Sequence, residues 1–156
     1  MTSKCLPKPA SRSTMNFLEF KILWTDYEGM VKLAVSGSSS THAAYHETHL
    51  YPEDLKAFAE ELKEYPRASD AEVVLECGGK GPNVHDYFRL RVFLLKVTGA
   101  SALEFESEVR GDPPLRAESH FFIPGWPADF NRVGTKLIAW LGDTSTPLRI
   151  EWNNDL

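Results

Sequence analysis

The chain has little cysteine and no long apolar run, and both features limit what it can be. Its two cysteines, Cys5 and Cys77, form no Cys-x-x-Cys motif, so neither a disulfide framework nor a cysteine-rich metal site is indicated. Apolar stretches such as residues 17–23 are short and interrupted by charged side chains, so none is expected to span a bilayer. Without a secretory signal or an Asn-x-Ser/Thr site, a reducing cytoplasm is the expected compartment.

Positive charge is also scarce. The 156 residues include 17 Lys+Arg and 22 Asp+Glu, which gives a formal net charge of −5. A general nucleic-acid-binding protein usually carries a basic face, so we expect no nucleic-acid partner. With 42% hydrophobic and 12% aromatic residues, the chain is neither disordered nor fibrous, and its length suits one domain.

The first 14 residues differ from the rest in composition. They are basic, contain proline and have almost no large apolar side chains. A transit peptide would be longer and amphipathic. We therefore predict a flexible N-terminal tail over residues 1–14 and a single domain over residues 15–156.

Alternation of apolar and polar side chains dominates the remaining sequence and predicts β-strands. Leu18, Phe20 and Ile22 would face one side of a sheet while Glu19 and Lys21 face the other. The same pattern predicts strands over about 18–24, 31–35, 43–50, 72–77, 87–97, a following segment up to 109, 116–123 and 148–152.

Two further segments have helical spacing and similar starts. Residues 51–55 (Tyr-Pro-Glu-Asp-Leu) and 126–130 (Trp-Pro-Ala-Asp-Phe) each place proline at the first helical position and an acid in the first turn. Apolar side chains then recur at intervals of three and four, up to Pro66 in the first segment and Gly142 in the second. Each helix also has a small residue at a matching position, Ala59 or Gly134, which we expect to let it lie close to the sheet.

These elements predict an α+β fold, with one antiparallel sheet of about six to eight strands and two helices packed on one of its faces. A strand-strand-strand-helix duplication would explain why the two helices look alike. Convergent helix-start chemistry explains the likeness equally well, and both interpretations stay open.

The sequence Thr98-Gly99-Ala100-Ser101 predicts a two-residue hairpin turn of type II′, with glycine at the first central position. Such a turn fixes the pairing of the flanking strands. It would place Leu90 opposite Val109 on one face and Arg91 opposite Glu108 on the other.

Three of the five histidines lie close together, at His42, His46 and His49. The zinc-protease motif His-Glu-x-x-His requires its second histidine at position 50, where the chain has Leu50. On a strand, His42 and His46 would share a face, His49 would point the other way, and no cysteine is near enough to complete a site. We expect solvated histidines on an edge strand and no bound metal.

No other motif indicates catalysis. The glycine-rich loop 78–81 is followed by proline and a strand, whereas a P-loop continues into Ser or Thr and a helix. The loop 37–41 lacks the Gly-x-Ser-x-Gly pattern, and Cys77 lies on an alternating strand as a core residue. We therefore predict that the protein is not an enzyme, with no catalytic residue and no cofactor.

A row of carboxylates at Glu104, Glu106 and Glu108 invites comparison with glycosidase acid pairs. Such chemistry needs one carboxyl whose pKa is raised in a cleft. Arg89 and Arg91 would share the face with this row and keep the acids ionised. Cross-strand ion pairing therefore explains the row better than catalysis does.

The sheet face opposite the helices remains as the candidate site. Aromatic and arginine side chains mixed with acids are typical of protein-binding surfaces, although an ordinary solvated sheet face also carries cross-strand pairs. The candidate partner-binding residues are Tyr87, Arg89, Arg91, Phe93, Glu104, Glu106 and Glu108.

The order of elements resembles a group of small bacterial immunity-protein-like families, encoded beside polymorphic toxins such as the wall-associated WapA type. The motif is Tyr-Pro-Glu-Asp-Leu-Lys-Ala-Phe-Ala-Glu-Glu-Leu at 51–62, closed by Tyr-Pro at 65–66. As a pattern the similarity extends over most of residues 17–142, while the tail before Met15 and the strand at 148–152 depart from it. The resemblance implies a non-enzymatic protein that binds and blocks a cognate toxin, and it carries over no functional residue.

We therefore expect a cytoplasmic, non-catalytic protein-binding domain, with its oligomeric state left open. The alternative is a small-molecule-binding or enzymatic domain in which a curved sheet and its helices enclose a pocket. A deep pocket with inward polar groups would favour the alternative. A filled core and a flat outer face would favour the binding domain.

Overall fold

A computed structural model of the protein describes residues 15–81, 84–95 and 98–153. The predicted tail, residues 1–14, lies outside these described residues. Strands and helices follow the predicted order, with bounds β1 Asn16–Thr25, β2 Val31–Ser38, β3 Ala43–Leu50, α1 Pro52–Lys63, β4 Glu72–Gly78, β5 Asp86–Leu94, β6 Ser101–Val109, β7 Ala117–Gly125, α2 Pro127–Trp140 and β8 Leu148–Trp152.

The α+β class, the antiparallel strands and the two helices are confirmed, but the strands do not form a single sheet. They divide into two four-stranded sheets, sheet A in the order β3-β2-β1-β8 and sheet B in the order β4-β5-β6-β7. Alternation within a strand shows which side chains are buried and does not specify which strands pair. The division into two sheets therefore had no local signal.

The succession of elements repeats along the chain. β1-β2-β3-α1 and β5-β6-β7-α2 have the same order, and each sheet adds a fourth strand beside the first strand of its unit. This order agrees with the predicted strand-strand-strand-helix repeat. In sheet A the added strand comes from the far end of the sequence, so that Asn16 lies opposite Trp152 and Phe20 opposite Leu148.

The inner faces of both sheets and the buried sides of both helices share one hydrophobic core. Phe20, Phe88, Phe105 and Phe130 are fully buried in it, and each such side chain stabilises the fold by roughly 1.5–3 kcal/mol. A Cβ placed on Gly37 of β2 would lie 2.8 Å from the ring of Phe105. The glycine thus allows the two sheets to meet at this point.

The two helices pack against each other, and each also contacts an edge strand, α1 contacting β4 and α2 contacting β8. Gly134 of α2 faces the backbone of α1, and a Cβ there would lie 2.5 Å from the Ala59 carbonyl oxygen. Asn131 of α2 donates from Nδ2 to the Leu62 carbonyl at 2.9 Å, which caps the end of α1. The small residues therefore bring helix to helix rather than helix to sheet. Within the described ranges, no helix has both the length and the apolar character that a membrane crossing needs.

The hairpin between β5 and β6 is present, but its predicted register is wrong by four residues. Leu90 lies opposite Phe105 rather than Val109, and Arg91 lies opposite Glu104 rather than Glu108. The backbone N–H of Leu95 donates to the Ala100 carbonyl at 2.8 Å. The connection is therefore longer than a two-residue turn, and part of it, residues 96–97, lies outside the described residues.

Candidate functional site

The candidate residues share the outer face of sheet B, which is turned away from the core. The register error left their faces unchanged because it amounts to an even number of residues. On β5 and β6 they alternate with buried core residues. They are Tyr87, Arg89, Arg91, Phe93, Glu104, Glu106 and Glu108.

Glu104 lies at the centre of this face and is only 4% exposed, which sequence reasoning did not anticipate. Its Oε1 accepts hydrogen bonds from Arg89 Nη2 and from Arg91 Nε, both at 2.8 Å. Its Oε2 lies 2.6 Å from His120 Nε2. Both carboxylate oxygens thus have nitrogen partners on the neighbouring strands β5 and β7. We call these four residues, Arg89, Arg91, Glu104 and His120, the Glu104 network.

Burial by itself would raise the pKa of Glu104. Hydrogen bonds from Arg91 and His120, together with the charges of Arg89 and Arg91, outweigh burial and hold the pKa of the carboxyl below its ordinary value. Glu104 is therefore ionised near neutral pH. A carboxylate held in this way is not suited to act as a general acid.

The other acids of the face are also paired. Glu106 accepts from Lys80 at 3.0 Å and lies 3.3 Å from Arg89. Glu108 accepts from Arg110 Nε at 2.8 Å. Because each acid has a cationic partner on a strand or in an adjoining loop, the row does not present an unbalanced negative surface.

Tyr87 is buried rather than exposed, since only 4% of it is open to solvent. Its hydroxyl donates to Glu76 Oε2 at 2.6 Å, and Lys80 lies over its ring at 4.8 Å. Burial, and then the bond to Glu76, raise the pKa of Tyr87 to about 12. Tyr87 thus belongs to the supporting structure of the face rather than to its accessible part.

Strand β7 contributes two residues that sequence reasoning missed, His120 and Phe122. Phe122 lies opposite Glu104 and is 48% exposed. Its ring meets Phe93 edge-on at 6.1 Å, and the guanidinium of Arg91 lies over Phe93 at 4.2 Å. The sequence had no clear signal for them, because the three consecutive apolar residues at 121–123 hide the alternation of exposed and buried side chains that the structure shows.

Glu104, Glu106 and His120 bring three possible metal-ligand atoms within 4.8 Å of one another. Carboxylate and imidazole are suitable ligands for several divalent metals. Here, however, Arg89 and Arg91 donate to the same carboxylate that a metal would need, and their charges oppose a cation. The group is better described as an ion-pair network than as a metal site.

The histidine cluster is placed only partly as expected. β3 is an edge strand of sheet A, and His42 and His49 are exposed, but His46 is 1% exposed and faces the core. Its Nε2 lies 3.3 Å from Asp86 Oδ2, and its ring packs on Phe88. The expectation of three solvated histidines is therefore wrong for His46, because the strand turns this side chain inward.

Cys77 lies in the core, as predicted, with 8% of its surface exposed. Burial raises the pKa of its thiol to about 11. Since the thiolate is the nucleophilic form, such a cysteine is unreactive near neutral pH.

Four depressions lined by described residues are open to solvent, with volumes of about 230 to 450 Å³. One of about 350 Å³ borders the outer face of sheet B at Glu106, Glu108 and His120. Their linings combine exposed side chains with buried ones such as Tyr65, Ile150 and Trp152, but include none of the fully buried phenylalanines of the core.

No protein-family model matches the chain, and no curated protein matches it. Among solved structures it is similar to the plant transcriptional regulator PBF-2, with 8% sequence identity and a TM-score of 0.47. That similarity covers 85% of this chain and 78% of the regulator's chain.

Proposed function

We propose that the chain is a non-catalytic protein-binding domain that uses the outer face of sheet B. We further propose that it acts in the bacterial cytoplasm and that its partner is a toxin, as the resemblance to immunity-protein-like families implies. The observation that carries the proposal is the cluster of Arg91, Phe93 and half-exposed Phe122 on this face.

Pre-organisation is the first support for this proposal. Arg91 Nε is held by Glu104 at 2.8 Å, and Arg91 Nη1 by Glu72 at 3.1 Å, so the guanidinium is fixed over the ring of Phe93. Aromatic and arginine side chains supply most binding energy in protein interfaces. Side chains that are already ordered lose less entropy when a partner binds.

Charge balance is the second support, and it defines how the partner is recognised. Glu104, Glu106 and Glu108 each have a cationic partner in the chain, so we expect little long-range attraction to a strongly basic partner. The aromatic contacts of Phe93 and Phe122 would then supply affinity, and the ion pairs around them would supply specificity.

The test compares two matched arginine–aromatic pairs on opposite sheets. Phe93→Ala and Phe122→Ala should each weaken binding of the cognate toxin domain by about 2 kcal/mol or more if they are interface anchors. Phe17→Ala is the control, because Phe17 lies on the outer face of sheet A with Arg149 over its ring at 3.8 Å. Arg91→Ala is a poorer probe, since it also removes a partner of buried Glu104.

The measurement is rescue of bacterial growth when each variant is co-expressed with a toxin domain encoded beside its gene, followed by calorimetry on the purified pair. We expect wild type and Phe17→Ala to protect the cells and the double variant Phe93→Ala/Phe122→Ala to fail while remaining folded. Equal protection by the double variant would remove this face from the proposal.

A further inference from the structure

We propose that the free edge of β7 binds an extended segment of the partner protein, which adds to sheet B as a fifth strand. This inference rests on the proposed function, from which the partner is taken. It adds the edge at which the partner binds, the backbone atoms of β7 that it uses and the extended form of the bound segment.

The ladder geometry defines which backbone groups of β7 are free. The Leu95 N–H bonds to the Ala100 carbonyl, and the Arg110 N–H bonds to the His85 carbonyl, so even-numbered residues of the β6 region direct their backbone groups towards β5. Odd-numbered residues of β6 therefore point towards β7. Since Leu103 lies opposite Ile123, the odd residues of β7 pair with β6 and its even residues point outward.

Pro124 supports this assignment independently. Its carbonyl accepts bonds from Asn16 Nδ2 at 3.0 Å and from Trp152 Nε1 at 2.8 Å, so it points away from β6. Proline is tolerated in a strand where its missing N–H would face outward. Ahead of it, Glu118, His120 and Phe122 direct their N–H and C=O groups to the same open side.

Each of the other three edge strands contacts an element outside its own sheet. β3 packs against β4 and β5, β4 against α1, and β8 against α2. Arg132 of α2 also donates to the Glu151 carbonyl of β8. β7 makes its extensive contacts with β6, and Glu118, His120 and Phe122 are all exposed. An exposed strand edge is a template for β-augmentation.

The side chains along this edge indicate the chemistry of the bound segment. An antiparallel segment would place an apolar residue opposite Phe122 and a basic residue opposite Glu118, on the same face of the sheet. A second copy of the chain fits less well. Two antiparallel β7 strands centred on His120 would place Glu118 opposite Phe122, and two centred on Glu118 would place two acids together. Two centred on Phe122 would need the carbonyl of Pro124, which already accepts hydrogen bonds from Asn16 and Trp152.

Amide hydrogen exchange tests the free edge without any partner. In the monomer, the N–H groups of Glu118, His120 and Phe122 should exchange at least about tenfold faster than those of Ser119, Phe121 and Ile123, which bond to β6. Slow exchange at all six positions would mean that another segment already occupies the edge, and it would overturn the proposal.

The second test uses a blocked peptide, Thr-Val-Thr-Ser-Thr-Lys-Thr, which places valine opposite Phe122 and lysine opposite Glu118. It should slow exchange at Glu118, His120 and Phe122. N-methylation of its Val, Ser and Lys nitrogens should abolish this effect, whereas N-methylation of the inner Thr nitrogens should not, because only the first set faces β7. Equal behaviour of the two methylated peptides would refute strand addition.

A protein variant provides a check from the other side. His120→Pro removes one outward N–H, whereas His120→Ala retains this N–H. The proline variant should bind the peptide at least about tenfold more weakly than the alanine variant, and melting curves check that both variants are folded. A dimer in sedimentation equilibrium with slowed edge amides would make a second copy the occupant and overturn the choice of partner. The exchange and peptide tests could fail while Phe93→Ala and Phe122→Ala still weaken binding of the toxin domain. That result would refute strand addition at β7 and leave the proposed function intact.

Discussion

Glu104 places a carboxylate at a position of β6 that is almost closed to solvent, and three nitrogen-bearing side chains surround it. Taking a charge out of water is costly, and the cost is offset only when its hydrogen-bonding capacity is filled. Here Arg89, Arg91 and His120 fill both oxygens. The arrangement therefore depends on all of its members, and removing the acid leaves two arginines without their shared partner.

Glu104→Gln should lower the free energy of unfolding by about 1–3 kcal/mol, because Gln is neutral and offers one acceptor where two are used. Glu118→Gln is the matched control. Its pair with Arg116 is exposed, with 59% of the Glu118 side chain open to solvent, and should contribute little. Urea unfolding of both variants at pH 7 gives the comparison, and equal midpoints would contradict the role assigned to Glu104.

The sign of the pH effect follows from the lowered pKa of Glu104. Its contribution is present above the ordinary carboxyl pKa and is lost as pH falls through the lower folded value. The difference in the free energy of unfolding between wild type and Glu104→Gln should therefore decrease below about pH 4, as measured by urea titration.

Among the helices and strands, the contact of α1 with α2 depends on a missing side chain. Gly134→Ala would introduce a Cβ 2.5 Å from the Ala59 carbonyl oxygen and 2.6 Å from the Lys63 nitrogen. Both are backbone atoms, so the helices must separate. We expect a net loss of about 2 kcal/mol despite the better helix propensity of alanine. Thr135→Ala, at the exposed neighbouring position, should change stability by less than about 0.5 kcal/mol in thermal unfolding.

Strand β3 contains a histidine whose titration opposes folding. Burial lowers the pKa of His46 despite the opposing hydrogen bond and charge of Asp86 and the charge of Glu47. As pH falls below about 6.5, His46 therefore takes up a proton in the unfolded chain but remains neutral in the folded chain. Stability should decrease between pH 7 and pH 5. His46→Leu should flatten this slope in urea titrations, and exposed His49→Leu should keep it; a slope unchanged in His46→Leu would assign the effect elsewhere.

Local sequence determined most of the elements and little of their assembly. The buried alternation of Val73, Leu75 and Cys77 identified β4, and proline followed by acids identified the helix starts. Gly99 does take a positive φ of 73°, as a glycine turn requires, yet this conformation fits connections of several lengths, so it could not define the register. The residues of the outer face could be predicted because alternate residues of a strand lie on the same face. The burial of Glu104 could not be predicted from the β5–β6 hairpin, because it depends on the neighbouring strand β7.

For the molecule as a whole, the charge pairing has a consequence for metal content. We expect purified protein to contain no stoichiometric zinc and its melting temperature to be unchanged by chelator, because arginine already bonds the carboxylate of Glu104. Elemental analysis and a melting curve with EDTA provide the measurement. One equivalent of zinc that disappears in His120→Ala would show that the metal competes successfully with the arginines.

The pairing of β1 with β8 also affects how the chain is made. Sheet B is a meander of neighbouring strands, so it can form from contacts between segments that are close in sequence. Sheet A cannot be completed until residues 148–152 have left the exit tunnel, because Asn16–Phe20 pair with them. Until they do, β1 keeps an unpaired edge, and such an edge can pair with a strand of another chain.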